Sequence, residues 1–151
     1  MFKHILIPTD GSPLSNAAAA AGVRLARSLG ARVTGLFAAP PATPVIYRAV
    51  LPVGYATPRE HERMIRKAAE RHLGAIERAA GAAGVRCEAV TVTSDFPADA
   101  ILAAARKHKC DLVVMGSHSR RGLRGVLLGS ETQKVLARSP VAVLVYRGPG
   151  T

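Results

Sequence analysis

Between positions 116 and 130 the sequence reads Gly116-Ser117-His118-Ser119-Arg120-Arg121-Gly122-Leu123-Arg124-Gly125-Val126-Leu127-Leu128-Gly129-Ser130. Glycine lets a backbone approach an anion closely, arginine grips phosphate oxygens with a planar fork, and hydroxyls donate to them. The segment leads into a helical pattern beginning at Ser130. A helix N-terminus presents unpaired N–H groups and the positive end of a dipole. The chemistry on offer is phosphate binding. Ser130-Glu131-Thr132-Gln133 also has the form of a capping box, which alone is structural. Beside the upstream glycines it becomes a phosphate cradle. Glu131 opposes that reading, because a carboxylate near a triphosphate repels it unless it points away or helps hold a cation.

A second group is Pro8-Thr9-Asp10-Gly11-Ser12-Pro13. Asp10-Gly11-Ser12-Pro13 reads as a turn, in which Ser12 and Pro13 supply a helix cap and a first helical residue. Other chemistries fail on spacing. There is no Gly-x-x-x-x-Gly-Lys-Ser/Thr loop and no Gly-x-Gly-x-x-Gly after the first strand. His118 has no nucleophile or orienting carboxylate placed with it. His4, His61, His72 and His108 show no metal-ligand spacing. Asp95 sits where a phosphorylatable acid would, but its partner acids and lysine are missing. Few aromatics are present to sandwich a flavin.

These residues need elements to position them. Phe2–Pro8, Arg32–Ala38, Arg86–Thr93, Leu112–Met115 and Val141–Tyr146 read as strands. Leu14–Leu29, Thr57 to about Ala83, Pro97–Lys109 and Ser130–Arg138 read as helices. Thr57-Pro58-Arg59-Glu60 is a capping box, and Ile65, Ala69, Leu73, Ile76 and Ala80 form one apolar stripe. The stretch from Ala39 to Thr57 holds four prolines and reads as a long loop. Strict alternation of strand and helix implies a parallel sheet with helices on both faces. Strands that are apolar throughout imply burial on both sides.

The chain has 151 residues, so one domain over 1–147 with a loose tail at 148–151 is expected. Hydrophobic residues make up 48%, which supports a core; Lys and Arg exceed Asp and Glu by 21 to 10, a net +11 that calls for an anionic partner. Aromatics at 4% and the absence of Trp leave little for stacking on bases, so nucleic acid is not expected. The longest apolar run, Ala17 to Val23, is far below the ~20 residues of a membrane span. No signal peptide is visible, and a cytoplasmic location is expected.

The segment from Gly116 to Ser130 resembles the nucleotide loop of the universal stress protein family. The family pattern is Gly, two residues, Gly, nine residues, Gly, then Ser or Thr. Gly116, Gly129 and Ser130 fall in that spacing, whereas position 119 is Ser instead of Gly. Ile7-Pro8-Thr9-Asp10-Gly11-Ser12, Asp111-Leu112-Val113-Val114-Met115-Gly116 and Ser139-Pro140-Val141-Ala142-Val143-Leu144-Val145 also match, so the resemblance covers nearly the whole chain.

The expected fold is α/β: an open, doubly wound, Rossmann-like sheet of five parallel strands in the order 3-2-1-4-5. The resemblance implies a stress-response protein that binds ATP or a related adenine nucleotide between strands one and four. It would act as a sensor or regulator, at most a slow ATPase, with Mg²⁺ held through the phosphates. It assigns Asp10 to the nucleoside, Pro8 and Thr9 to the same wall, and Met115 and Gly116 to adenine and ribose. Gly129, Ser130 and Thr132 fall to the phosphates. Ser117, His118, Ser119 and Glu131 complete the expected site, with no catalytic residue and no protein-held metal. Arg120, Arg121, Arg124, Lys134 and Arg138 are expected to set positive charge around it. Ser119 motivates an alternative, a member that binds no nucleotide and acts as a dimeric interaction module. In that strand order the last strand is an apolar edge, which predicts a homodimer through 141–146. Cys87 and Cys110 lie three strand steps of ~4.8 Å apart, too far for a disulfide, so both thiols are expected free.

Overall fold

The computed structural model describes residues 1–42, 57–117 and 128–148. Five strands, β1 (His4–Pro8), β2 (Arg32–Ala39), β3 (Cys87–Thr93), β4 (Leu112–Gly116) and β5 (Ala142–Tyr146), alternate with four helices, α1 (Pro13–Leu29), α2 (Pro58–Ala83), α3 (Pro97–Lys107) and α4 (Ser130–Arg138). The sheet is wholly parallel, in the order β3-β2-β1-β4-β5, as expected.

Each β1 residue sends its side chain to the face opposite its neighbour's. Ile5 and Ile7 meet α1 and α2 with Val23, Val33 and Ile76, while Leu6 meets α3 with Leu36, Ile101 and Val113. Ile5, Leu6 and Ile7 are fully buried, each contributing roughly 1.5–3 kcal/mol over an exposed position. The α2 stripe is in place. Leu73, Ile76 and Ala80 are buried, and Ile65 and Ala69 pack against Phe37 and Ala39 farther along.

The expectation of strands buried on both faces holds for β1, β2 and β4 but fails at the edges. In β3 Glu88, Ala89, Thr91 and Thr93 are exposed, and in β5 Ala142 and Leu144 are. An edge strand has a neighbour on one side only, so apolar composition there does not secure burial. Helix α3 stops at Lys107, short of the expected Lys109, because Lys109 takes a left-handed φ of 53°. Cys87 and Cys110 are both free thiols, and burial raises the Cys110 pKa to about 11. Among the described residues, no helix is long and apolar enough to cross a membrane.

Candidate functional site

The sheet order reverses between β1 and β4, and an open parallel sheet binds ligands beyond the carboxyl ends of its strands at that point. A cavity of about 330 Å³ lies there. Nine expected residues line it: Pro8, Thr9 and Asp10 after β1, Met115 and Gly116 at the end of β4, and Gly129, Ser130, Glu131 and Thr132 at the start of α4. His118 and Ser119 lie outside the described residues, as do Arg120, Arg121 and Arg124.

Ser117 is buried but does not line the cavity. Its hydroxyl accepts the Gly129 N–H at 3.1 Å, and its own N–H bonds the Tyr146 carbonyl. It thus ties the end of β4 to the start of α4, a positioning task.

The β1–α1 turn is held by its own hydroxyls. Thr9 Oγ1 accepts the Gly11 N–H, and lies 3.1 Å from Ser15 Oγ. Asp10 Oδ1 accepts the Ser12 N–H at 2.9 Å, and Ser12 Oγ caps α1 through the Ser15 N–H. Gly11 has φ +76°, and a Cβ there would stand 2.0 Å from the His72 ring of α2. His72 therefore closes over this turn, edge-on to Phe37 with ring centroids 5.3 Å apart. Burial and the Arg71 charge lower the His72 pKa, with Asp10 opposing.

At α4 the expected capping box does not form. Gly129 is the N-cap and supplies no side-chain bond, Ser130 is already helical, and Gln133 donates instead to the Leu128 carbonyl. The first N–H groups of this helix therefore carry no side-chain cap, and they open on the cavity. The Glu131 carboxylate is engaged on both oxygens: one accepts the Ala98 N–H of α3 at 2.9 Å and the other takes Lys134 Nζ at 2.8 Å. Those bonds, the Lys134 one foremost, pull its pKa down. The repulsion expected between Glu131 and a phosphate is thereby reduced.

Two of the five cations expected around the site, Lys134 and Arg138, lie among the described residues. Lys134 pairs with Glu131, and Arg138 pairs with Asp99 at 2.6 Å. Both cations are engaged with carboxylates of α3 and α4.

The sequence reasoning missed the apolar wall. Leu36 and Ala38 of β2 and Pro97 and Ile101 of α3 line the cavity with Met115, and so does Ser15, whose Oγ lies 3.1 Å from Thr9 Oγ1. The signal existed for Ala38, at the carboxyl end of a strand beside β1. Ile101 belonged to an apolar helix face whose placement needed the folded arrangement. His72 could not be inferred from a sequence separated from Gly11 by most of α1, β2 and α2. An apolar slot at one end and an uncapped helix N-terminus at the other suit a flat ring carrying a phosphate.

The chain matches the model of the Universal stress protein family over residues 1–147. It is 34% identical over 148 residues to a universal stress protein of Thermus aquaticus, covering 97% of this chain and 100% of that protein. A protein of the same family from Burkholderia pseudomallei superimposes with a TM-score of 0.76 at 21% identity, over 97% of each chain. A universal stress protein solved in complex with cAMP does so with a TM-score of 0.66 at 26% identity, over 98% of each. The chain belongs to the universal stress protein family.

Proposed function

We propose that the protein binds ATP or a related adenine nucleotide in the cavity between β1 and β4, and acts as a sensor or regulator rather than a fast enzyme. The observation that carries the reading is the uncapped N-terminus of α4 opening on an apolar cavity. The base lies in the slot between Met115, Leu36 and Ile101, and Asp10 accepts from the ribose hydroxyls. Phosphates rest on the Ser130–Thr132 N–H groups. Mg²⁺ rides on the phosphate oxygens, since no trio of His, Cys, Asp or Glu is gathered for a metal among the described residues. The relative solved with cAMP supports an adenine nucleotide as the ligand class.

The alternative, an interaction module without nucleotide, draws on Ser119 in place of the family Gly. Its second support, repulsion by Glu131, is weakened by the Ala98 and Lys134 bonds. Both readings include a homodimer through β5, whose free edge carries exposed Leu144.

Calorimetry with MgATP tests the proposal. Binding is expected for the wild type and is lost in Gly129→Leu, which sets a bulky residue in the cavity lining. No heat at high micromolar nucleotide on folded protein overturns it. Binding that appears only in Ser119→Gly selects the alternative.

A further inference from the structure

The chain carries a net charge of +11, yet the cations of α4 are paired and those of α2 alternate with glutamates. A second group of cations lies at the opposite pole of the sheet. Lys3 before β1, Arg27 in the last turn of α1, Arg32 at the start of β2 and Arg86 before β3 line a hollow of about 380 Å³. The backbone sets three of them side by side. The Arg32 N–H bonds the Lys3 carbonyl, and the Val33 N–H bonds the Arg86 carbonyl. Among the described residues, no carboxylate lines the hollow. Among the described residues, no ion pair joins any of the four to an acid. Asp111, beside Lys3, uses its two oxygens on the backbone N–H groups of Lys3 and His4.

Cations near the ends of α1 and α2 have a bland explanation: they complement helix dipoles and cap carbonyls. The capping half is already met by the backbone. The Gly30 and Ala31 N–H groups bond the last-turn carbonyls of α1, and those of Gly84 and Val85 bond the carbonyls of α2. Only Arg27 lies within a last turn; the other three belong to strand starts. Like charges gathered in one hollow repel, and a bound anion removes that cost.

We infer that this hollow is a second anion site, for a compact ligand with two or more linked phosphate groups, separate from the nucleotide cavity. Three of the four cations are arginines, whose forks take phosphate oxygens in pairs. Among the described residues no aromatic side chain lines the hollow, so it recognises the phosphates and not a base. The site lies at the amino ends of the strands and the cavity at their carboxyl ends, so both can be filled at once.

The test is calorimetric titration with inorganic pyrophosphate in metal-free, low-salt buffer. One pyrophosphate per chain is expected, with binding kept in Gly129→Leu. Arg32→Gln and Arg86→Gln should each weaken it by about tenfold, as loss of a charged hydrogen bond does. Lys134→Gln and Arg138→Gln should leave it unchanged, and added salt should weaken it. The four substituted cations are exposed, and thermal melts establish that each variant, Gly129→Leu included, is folded. Absence of binding overturns the inference. So does binding that disappears in Gly129→Leu, which places pyrophosphate in the nucleotide cavity, or binding indifferent to Arg32 and Arg86, which makes it non-specific.

Discussion

The Glu131 carboxylate, on the first turn of α4, accepts the backbone N–H of Ala98 on the first turn of α3 at 2.9 Å. Helix α3 has no side-chain cap of its own, since its N-cap is Phe96. A residue from the neighbouring helix does that work, and both helices wall the cavity. Replacing Glu131 with Ala should lower stability by about 1 kcal/mol, the usual loss with a capping side chain. Glu131→Gln keeps an acceptor oxygen and should lose less. The folded pKa is depressed from its ordinary value of 4.5, so this stability is present above that value and lost as pH falls through the folded pKa. Thermal unfolding near neutral pH measures it, and a Glu131→Ala protein that melts with the wild type contradicts the cap.

The contact between Gly11 and His72 makes a separable pair of effects. Gly11→Ala places a methyl 2.0 Å from the imidazole and forces Ala into a left-handed φ of +76°. The backbone strain is roughly 1–2 kcal/mol, and the collision adds to it. In Gly11→Ala with His72→Ala the collision vanishes and the strain stays. A double-mutant cycle by chemical denaturation should therefore show the pair less destabilised than the sum of the singles. Strict additivity would mean that His72 does not close over the turn.

What could be read from sequence follows the range of the interaction. The Thr57–Glu60 capping box forms with both bonds, Glu60 N–H to Thr57 Oγ1 and Thr57 N–H to Glu60 Oε2, because its parts lie within one turn. The Ser130–Gln133 box has the same spelling and fails, because α4 begins one residue earlier relative to it and Gly129 takes the cap position. The parallel sheet was legible from alternation, and the strand order and the cavity residues after β1 and β4 from the resemblance carried by motifs that each sit at a strand end. The partners of Glu131 and Arg138 were not, since Ala98 and Asp99 belong to another helix and meet α4 only in the packed sheet. The same holds for Ile101 in the apolar wall.

His4 links stability to pH. Its ring is buried, and Nε2 lies 2.7 Å from Thr34 Oγ1 on β2. Burial first, then the Arg32 charge, lowers its pKa below the ordinary 6.5, with Asp111 opposing and His108 also nearby. The unfolded chain then binds the proton more readily than the folded one. Stability is complete above about pH 6.5 and falls as pH drops from there toward the folded pKa. His72 shifts the same way and adds to the slope. Urea midpoints at about pH 7.5 and about pH 5 should differ less in His4→Gln than in the wild type, because only the His72 part remains. An unchanged difference would remove His4 from the linkage.

The two edges of the sheet are chemically unlike. On β3, Glu88, Thr91 and Thr93 are exposed, and polar or charged side chains discourage pairing with another strand. On β5, Ala142-Val143-Leu144-Val145-Tyr146 presents no charge, and Leu144 is 39% exposed. One side of β5 is bonded to β4 in register from Leu112–Ala142 to Gly116–Tyr146, and among the described residues no strand pairs with its other side. Pairing two copies of this edge about a two-fold axis satisfies its backbone groups and buries the apolar strip on both chains. Sedimentation at micromolar concentration should therefore give a species of about twice the 15.8 kDa chain mass. Leu144→Lys puts two like charges at the seam and should shift the protein to single chains without unfolding it, since Leu144 is only partly covered within one chain. The corresponding charge on the other edge, Thr91→Lys on β3, should leave the dimer intact. A wild type that sediments as single chains, or a dimer that Thr91→Lys dissociates and Leu144→Lys does not, would place the contact elsewhere.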